Sequence, residues 1–393
     1  MADREPLNAG RQDAFPIGAT VTLEQLEQDP HPVLARLRTH EPVSWLPALQ
    51  GWLVTRHDLA MAVMRDASTF TVDDPRFSTA QVVGPSMLSL DGTEHVRHRA
   101  PFAPPFRPTA VKDRFAEQAA AEAERLIETF AQRGAAELRR EFAGPLAASI
   151  MARALGLDQG EVTPMLGWYD GIVTAVTEIT AGRDPGAGGR DAFAALKTRL
   201  NAVIADDSEL LGAAATQSDL THDQVISNAA ILLFGGVETT EGMITNALSY
   251  LLENPDSTGQ TSLDAVIDES LRLEPAAAVV DRYATTETTL ATANIDKGDL
   301  VRVSIAAANR DPAIFEDPDR YLPGRPRSRR HLAFAQGPHV CLGIHLARTE
   351  ARAGLTALTR RLPNLRLNTD HPSRVEGLVF RKPRALHARW DKA

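Results

Sequence analysis

The chain has 393 residues, one cysteine and a formal net charge of -9. That charge argues against nucleic-acid binding, and a lone cysteine excludes an internal disulfide and fits a reducing compartment. The longest apolar run, Ala229 to Val237, falls well short of the roughly 20 residues a membrane span needs, and Ala2 to Gln12 is polar and charged, so a cytoplasmic protein without a membrane segment is expected.

Its 43% hydrophobic residues can fill a large core. No Pro/Gly/Ser-rich linker interrupts the sequence, which predicts one domain over 22–393 behind an N-terminal extension, 1–21. Thr22 to Thr39 reads as a first helix, Val43 to Thr55 alternates like a strand pair around Pro47 and Gly51, and Arg56 to Asp66 is a second helix. Thr71 to Leu90, with Pro75, Gly84 and Pro85 and no sustained period, is expected to be a loop. Helical patterns run from Glu94 to Leu211, broken at Pro104-Pro105, at Arg133-Gly134 and at the glycine-rich Gly182 to Gly189, which suits a lid. The longest helix starts at Thr221, where Thr221-x-x-Gln224 fits a capping box, and stops at Asn254-Pro255. Gly235 and Gly236 fall near its middle at a cost of roughly 1 kcal/mol each relative to alanine, so something there needs the space. Beyond Arg272 the pattern turns to β-branched strands through Ser304, and Pro363 to Trp390 reads as short strands.

Cys341 stands in Phe334-Ala335-Gln336-Gly337-Pro338-His339-Val340-Cys341-Leu342-Gly343, just before the amphipathic stretch Ile344 to Leu362. A lone cysteine is usually a small buried hydrophobe. Here the glycines and Pro338 shape a loop that ends at a helix N-terminus, where free N–H groups and the helix dipole favour a thiolate. With no second cysteine for a zinc or iron–sulfur cage, the metal must bring its own other ligands, which points to haem iron with an axial thiolate.

The pattern Phe-x-x-Gly-x-His-x-Cys-x-Gly resembles the haem-binding loop of the cytochrome P450 family. Gly235-Gly236-Val237-Glu238-Thr239-Thr240, Glu269-Ser270-Leu271-Arg272, and Asn309-Arg310-Asp311 with Tyr321 to Arg325 match in the family's order. With Asp91 to Arg99, the resemblance covers nearly the whole chain from about Val43 onward. It implies a mainly helical body with a small β-rich lobe and a non-covalent haem b (iron protoporphyrin IX) between the long central helix and the cysteine loop. Cys341 is then the axial iron ligand, with Phe334, Gly343 and Gly235 beside the haem. His95, Arg99, Arg282 and His339 correspond to the partners of its propionates, although each alone could be a solvated charge. Glu238 and Thr239, about 100° apart on a helix, become the oxygen-activating pair, Thr239 on the oxygen side and Glu238 relaying protons. Glu269, Arg272 and Arg325 form a buried structural ion cluster rather than a surface pair. Ile231, Phe234, Ala276 to Val279 (among them Ala278 and Val279), Leu378 and Val379 map to substrate contacts. The chain departs from the family in Ala335-Gln336, where a glycine-histidine type pair is more usual, and in a short segment between Asn254 and Glu269.

The resemblance therefore implies a monooxygenase using O2 on a small apolar organic substrate. No flavin or iron–sulfur segment is visible, so electrons must come from NAD(P)H through a ferredoxin reductase and a ferredoxin. Arg97, His98, Arg107, Lys112 and Arg114, with Arg325, Arg327, Arg329, Arg330, Arg348 and Arg352, are expected to form one positive docking face on the cysteine side. A monomer is expected. The alternatives are a haem-thiolate enzyme of other chemistry (peroxygenase or radical coupler) and a non-catalytic haem sensor or carrier; an enzyme fed with peroxide would not need the proton relay of Glu238 and Thr239, and a sensor or carrier has no use for that pair.

Overall fold

The computed structural model describes residues 10–158, 160, 162–205, 210–255 and 261–392. Its axis is the long helix His222–Glu253, which the capping box at Thr221 opens: the Thr221 hydroxyl accepts from Gln224 N, and the Gln224 side chain accepts from Thr221 N. It can run through the middle of the molecule because most of its circumference is apolar or internally bonded, with Val225 to Phe234 and Val237 to Ser249 except Thr239 all buried. Around it pack the helices Gly144–Leu155, Val162–Thr180, Gly188–Ala205, Leu263–Leu273 and Ile344–Arg361, and Pro108–Glu128 packs outside them on Ile344–Arg361 and Gly144–Leu155.

The β lobe is a five-stranded sheet in the order Val43–Leu46, Gly51–Val54, Leu300–Ser304, Val279–Ala284, Phe70–Thr71. The Gly51–Val54 and Leu300–Ser304 pair is parallel, and the others are antiparallel. Three small sheets complete it, including the hairpin of Val375–Glu376 with Lys382–Pro383. A mainly helical fold with a small β-rich lobe is thus what the chain adopts.

Three local readings change. The first expected helix is two, Leu23–Gln28 and His31–His40, because Pro30 cannot continue the first and instead starts the second. The expected loop at 71–90 contains the helix Ser78–Val83, held by burial of Thr79, Val82 and Val83 rather than by any visible period. The stretch read as an extension is packed down from residue 10: Phe15 stands edge-on to Trp52 at 5.2 Å, and Arg11 pairs with Asp299 at 2.6 Å. Residues 1–9, and 256–260 in the short segment after Asn254, lie outside the described residues.

Candidate active site

One cavity lies between the long helix and the cysteine loop. Gly235, Gly236 and Thr239 form one wall; Phe334, His339, Cys341 and Gly343 form another. The two helix glycines do different work. A Cβ on Gly236 would collide with the Met151 side chain, so that glycine admits the neighbouring helix, whereas a Cβ on Gly235 meets nothing and would project into open cavity. Thr239 bends its hydroxyl back to donate to Gly235 O at 2.6 Å and also lines the cavity. Glu238, next to it, faces the other way into a buried ion cluster with Lys382, 2.8 Å away, and Tyr169.

The cysteine loop is set by backbone geometry. Cys341 N donates to Phe334 O at 2.9 Å, and Gly337 takes φ +74 where any side chain would strike the carbonyl of Met64. Burial pushes the Cys341 thiol up, against the pull of a Gly343 N–H bond and of Arg99. Burial thus opposes the helix start and Arg99 at this sulfur, and a bound metal cation would favour the thiolate. Ala335, where the family more usually has glycine, sits at φ +56. Ala335→Gly relieves left-handed strain and is expected to raise stability by about 1 kcal/mol; an unchanged or lower thermal midpoint would show the position to be unstrained.

The cavity's edge is cationic. Arg99 donates to Val340 O at 2.7 Å and Arg282, 4% exposed, to Asp281 O at 2.7 Å. Among the described residues neither has a carboxylate within ion-pair distance, and burial pushes both guanidinium groups down. His339 bonds Asp91 at 2.8 Å. Burial would raise Asp91, but bonds from His339, Thr71 and Val72 overcome it and hold the carboxyl at about 2. His95 does not line the cavity: its ring lies 4.3 Å from that of His339, and its nitrogens face the carbonyls of Met87 at 2.8 Å and Pro338 at 3.1 Å. Only a nitrogen of this ring that carries a proton can bond a carbonyl or, in its place, an anion.

These features fit a flat, dianionic, iron-bearing group. An open glycine stands opposite a lone thiol, and the buried Arg282 and half-buried Arg99 at the edge have no carboxylate within ion-pair distance among the described residues.

Of the residues mapped to substrate contacts, Ile231, Phe234, Ala276, Ala277, Val279 and Val379 line the cavity. Ala278 does not. It packs instead with Leu34, Leu46 and Leu53, joined there by Leu378. Glu269, Arg272 and Arg325 come together in the core: Glu269 accepts from Arg272 Nε at 2.9 Å and from Arg325 Nε at 2.9 Å, with both acid and Arg272 side chains fully buried.

The positive face is narrower than its sequence. Arg325 is buried in that cluster, His98 is buried against Asn228, and Arg97, Arg348 and Arg352 pair with Glu94, Asp268 and Asp264. Arg107, Lys112, Arg327 and Arg330 remain exposed.

Sequence reasoning missed Glu350, which lines the cavity from the helix after Cys341 with Oε2 buried and unbonded. Burial alone pushes its carboxyl well up. A raised folded-state pKa contributes stability that is fully present below the ordinary carboxylate range and is lost as pH rises through the folded value. Glu350→Gln is therefore expected to flatten the fall in thermal midpoint on the alkaline side; an unchanged pH–stability curve would mean the acid is not buried neutral.

A family model described as Cytochrome P450 matches residues 261–386. The 20-oxo-5-O-mycaminosyltylactone 23-monooxygenase of Streptomyces fradiae is 30% identical, over 98% of this chain and 92% of its own. The cytochrome P450 monooxygenase PikC of Streptomyces venezuelae is 31% identical, over 93% and 92%. The solved structure of cytochrome P450 CYP109Q5 from Chondromyces apiculatus superposes with a TM-score of 0.83 at 26% identity, covering 96% of this chain and 98% of that one. The fold and the thiol-walled cavity define a haem-binding oxidoreductase. This chain belongs to the cytochrome P450 family.

Proposed function

We propose that the protein inserts one oxygen atom of O2 into an apolar organic substrate, drawing electrons from NAD(P)H through a ferredoxin reductase and a ferredoxin. The observation that carries this reading is the cavity that sets Cys341 opposite Gly235 and Thr239, with cations at its edge and apolar side chains over the rest. Haem b, bound through Cys341, supplies the electron-accepting and oxygen-activating chemistry.

The chain's own residues do the remainder. Arg99, Arg282 and His339 would hold the two carboxylates of the haem, with His95 packed behind His339, and Phe334 and Gly343 would contact it from the cysteine loop. Thr239 offers a hydroxyl at the oxygen side, and Glu238 stores a proton one residue away. Ile231, Phe234, Val279 and Val379 exclude water and hold the substrate by burial, worth roughly 25 cal/mol per Å² of apolar area. Phe234, edge-on to Phe380 at 5.5 Å, narrows the space in front of Gly235.

Val96 and Val340 are the exposed large hydrophobic residues among those described, at 62% and 40%. Arg99, reaching Val340 O, joins their two elements beside Cys341. With Arg107 and Lys112 near by in sequence, they suit an acidic iron–sulfur partner. Turnover is expected to require ferredoxin and O2. Reduction by ferredoxin should slow with rising salt, the screening length being about 8 Å at 0.15 M, and when Arg107 and Lys112 are both changed to Glu. Equal product from hydrogen peroxide alone, or salt-independent reduction, would overturn the reading. The pairing of Thr239 with Glu238 weighs against the peroxide-fed and sensor alternatives, which need no proton store.

A further inference from the structure

Behind the long helix, away from the cavity, two buried carboxylates share one ammonium. Glu238 and Glu241, 2% and 1% exposed, stand one turn apart. Lys382 reaches both from the short C-terminal hairpin, 2.8 Å from Glu238 Oε2 and in direct contact with Glu241 Oε2. The hairpin lies along the helix at Gly242, where an added Cβ would crowd that of Ala276 at 2.9 Å and stand at ordinary contact distance, 3.6 Å, from that of Lys382. Tyr169, from the helix Val162–Thr180, donates its hydroxyl to Glu238 and receives a bond from Lys382 Nζ at 3.2 Å. Arg139 Nε lies 3.1 Å from Glu241 Oε2.

The two acids are not equivalent. Glu241 touches both cations; Glu238 touches one cation and a neutral phenol. Protonating Glu238 leaves Lys382 still paired with Glu241, and Glu241 still paired with Arg139. Protonating Glu241 instead would strand Arg139, and a buried charge without a partner is costly. Burial already pushes Glu238 up, against the pull of Lys382. The cluster also touches the exterior: Lys382 is 10% exposed at its side chain and Arg384, two residues on, 88%.

We propose that Lys382, Tyr169 and Glu241 are positioning residues that make Glu238 the one group of this cluster able to take up and release a solvent proton, Glu241 keeping Lys382 charged in both states. The inference rests on the part assigned to Glu238 in the monooxygenase reading. It adds that the store is filled from the hairpin side and not across the cavity.

The test is an infrared pH titration of the haem-loaded ferric protein at rest, following the protonated-carboxylic-acid band that disappears in Glu238→Gln. Lys382→Met is expected to move its midpoint up by about one pH unit or more, since an adjacent opposite charge is worth ~1–3 units. Tyr169→Phe, which leaves the ion pairs intact, should move it up by less, and Lys382→Arg should restore it. The pH at which reductant and product formation uncouple should shift with it. A midpoint that stays put in both Lys382→Met and Tyr169→Phe overturns the proposal. Unchanged coupling in Glu238→Gln, with the infrared shifts present, overturns the role of Glu238 in the reaction and leaves the electrostatic assignment standing.

Discussion

Replacing Cys341 by histidine is expected to abolish the strongly red-shifted Soret band that a thiolate ligand gives the reduced, carbon monoxide-bound protein, and with it all oxygen insertion. Cys341 is the chain's only cysteine and lines the cavity opposite Gly235, so no other thiol can take over. Haem retention itself should survive in part, because Arg99, Arg282 and His339 would still hold its carboxylates. The thiolate donates electron density that an imidazole does not, and O–O cleavage depends on it. A normal thiolate-type spectrum in Cys341→His would sink the assignment.

Thr239→Ala is the second large effect. The variant should bind substrate and consume NAD(P)H at near-normal rates, yet yield product at least about tenfold less per NAD(P)H, with hydrogen peroxide making up the difference, since placed proton donors are typically worth ~10²–10⁴-fold. The variant also removes the bond to Gly235 O. Thr239→Ser, which keeps the hydroxyl, should recover most of the coupling and so separate proton handling from helix shape. Unchanged coupling in Thr239→Ala would place the proton donor elsewhere.

The long helix was legible in the sequence because its signals are local: the capping box at Thr221 and Gln224, the stop at Asn254-Pro255 and two glycines in a strong apolar run. The cysteine loop was legible for the same reason. What local pattern could not supply was pairing across the chain. Lys382 shows nothing beside its sequence neighbours, and only the folding of the C-terminal hairpin onto the long helix brings it to Glu238. Arg325 joins Glu269 in the sequence only through the family resemblance; by local pattern it is one more surface cation. Ala278 and Val279 are adjacent apolar residues, and only the packing around Leu34, Leu46 and Leu53 shows that Ala278 turns from the cavity. The helix Ser78–Val83 is too short to show a period. Glu350 looks like any acid on an amphipathic helix, and a heptad-scale look at Leu346, Ala347 and Glu350 would have put it on the buried face.

The sheet also constrains how the molecule is made. Trp52 pairs in parallel with Val301, so the strand Gly51–Val54 has one neighbour at hand and waits for the other until most of the chain has left the ribosome. Synthesis at ~5–20 residues per second leaves that edge open for tens of seconds, long enough for a foreign strand to occupy it. Fragments ending before Leu300 would keep the edge permanently bare and should aggregate during expression, and slowing translation should increase the cell's demand for chaperones on this protein.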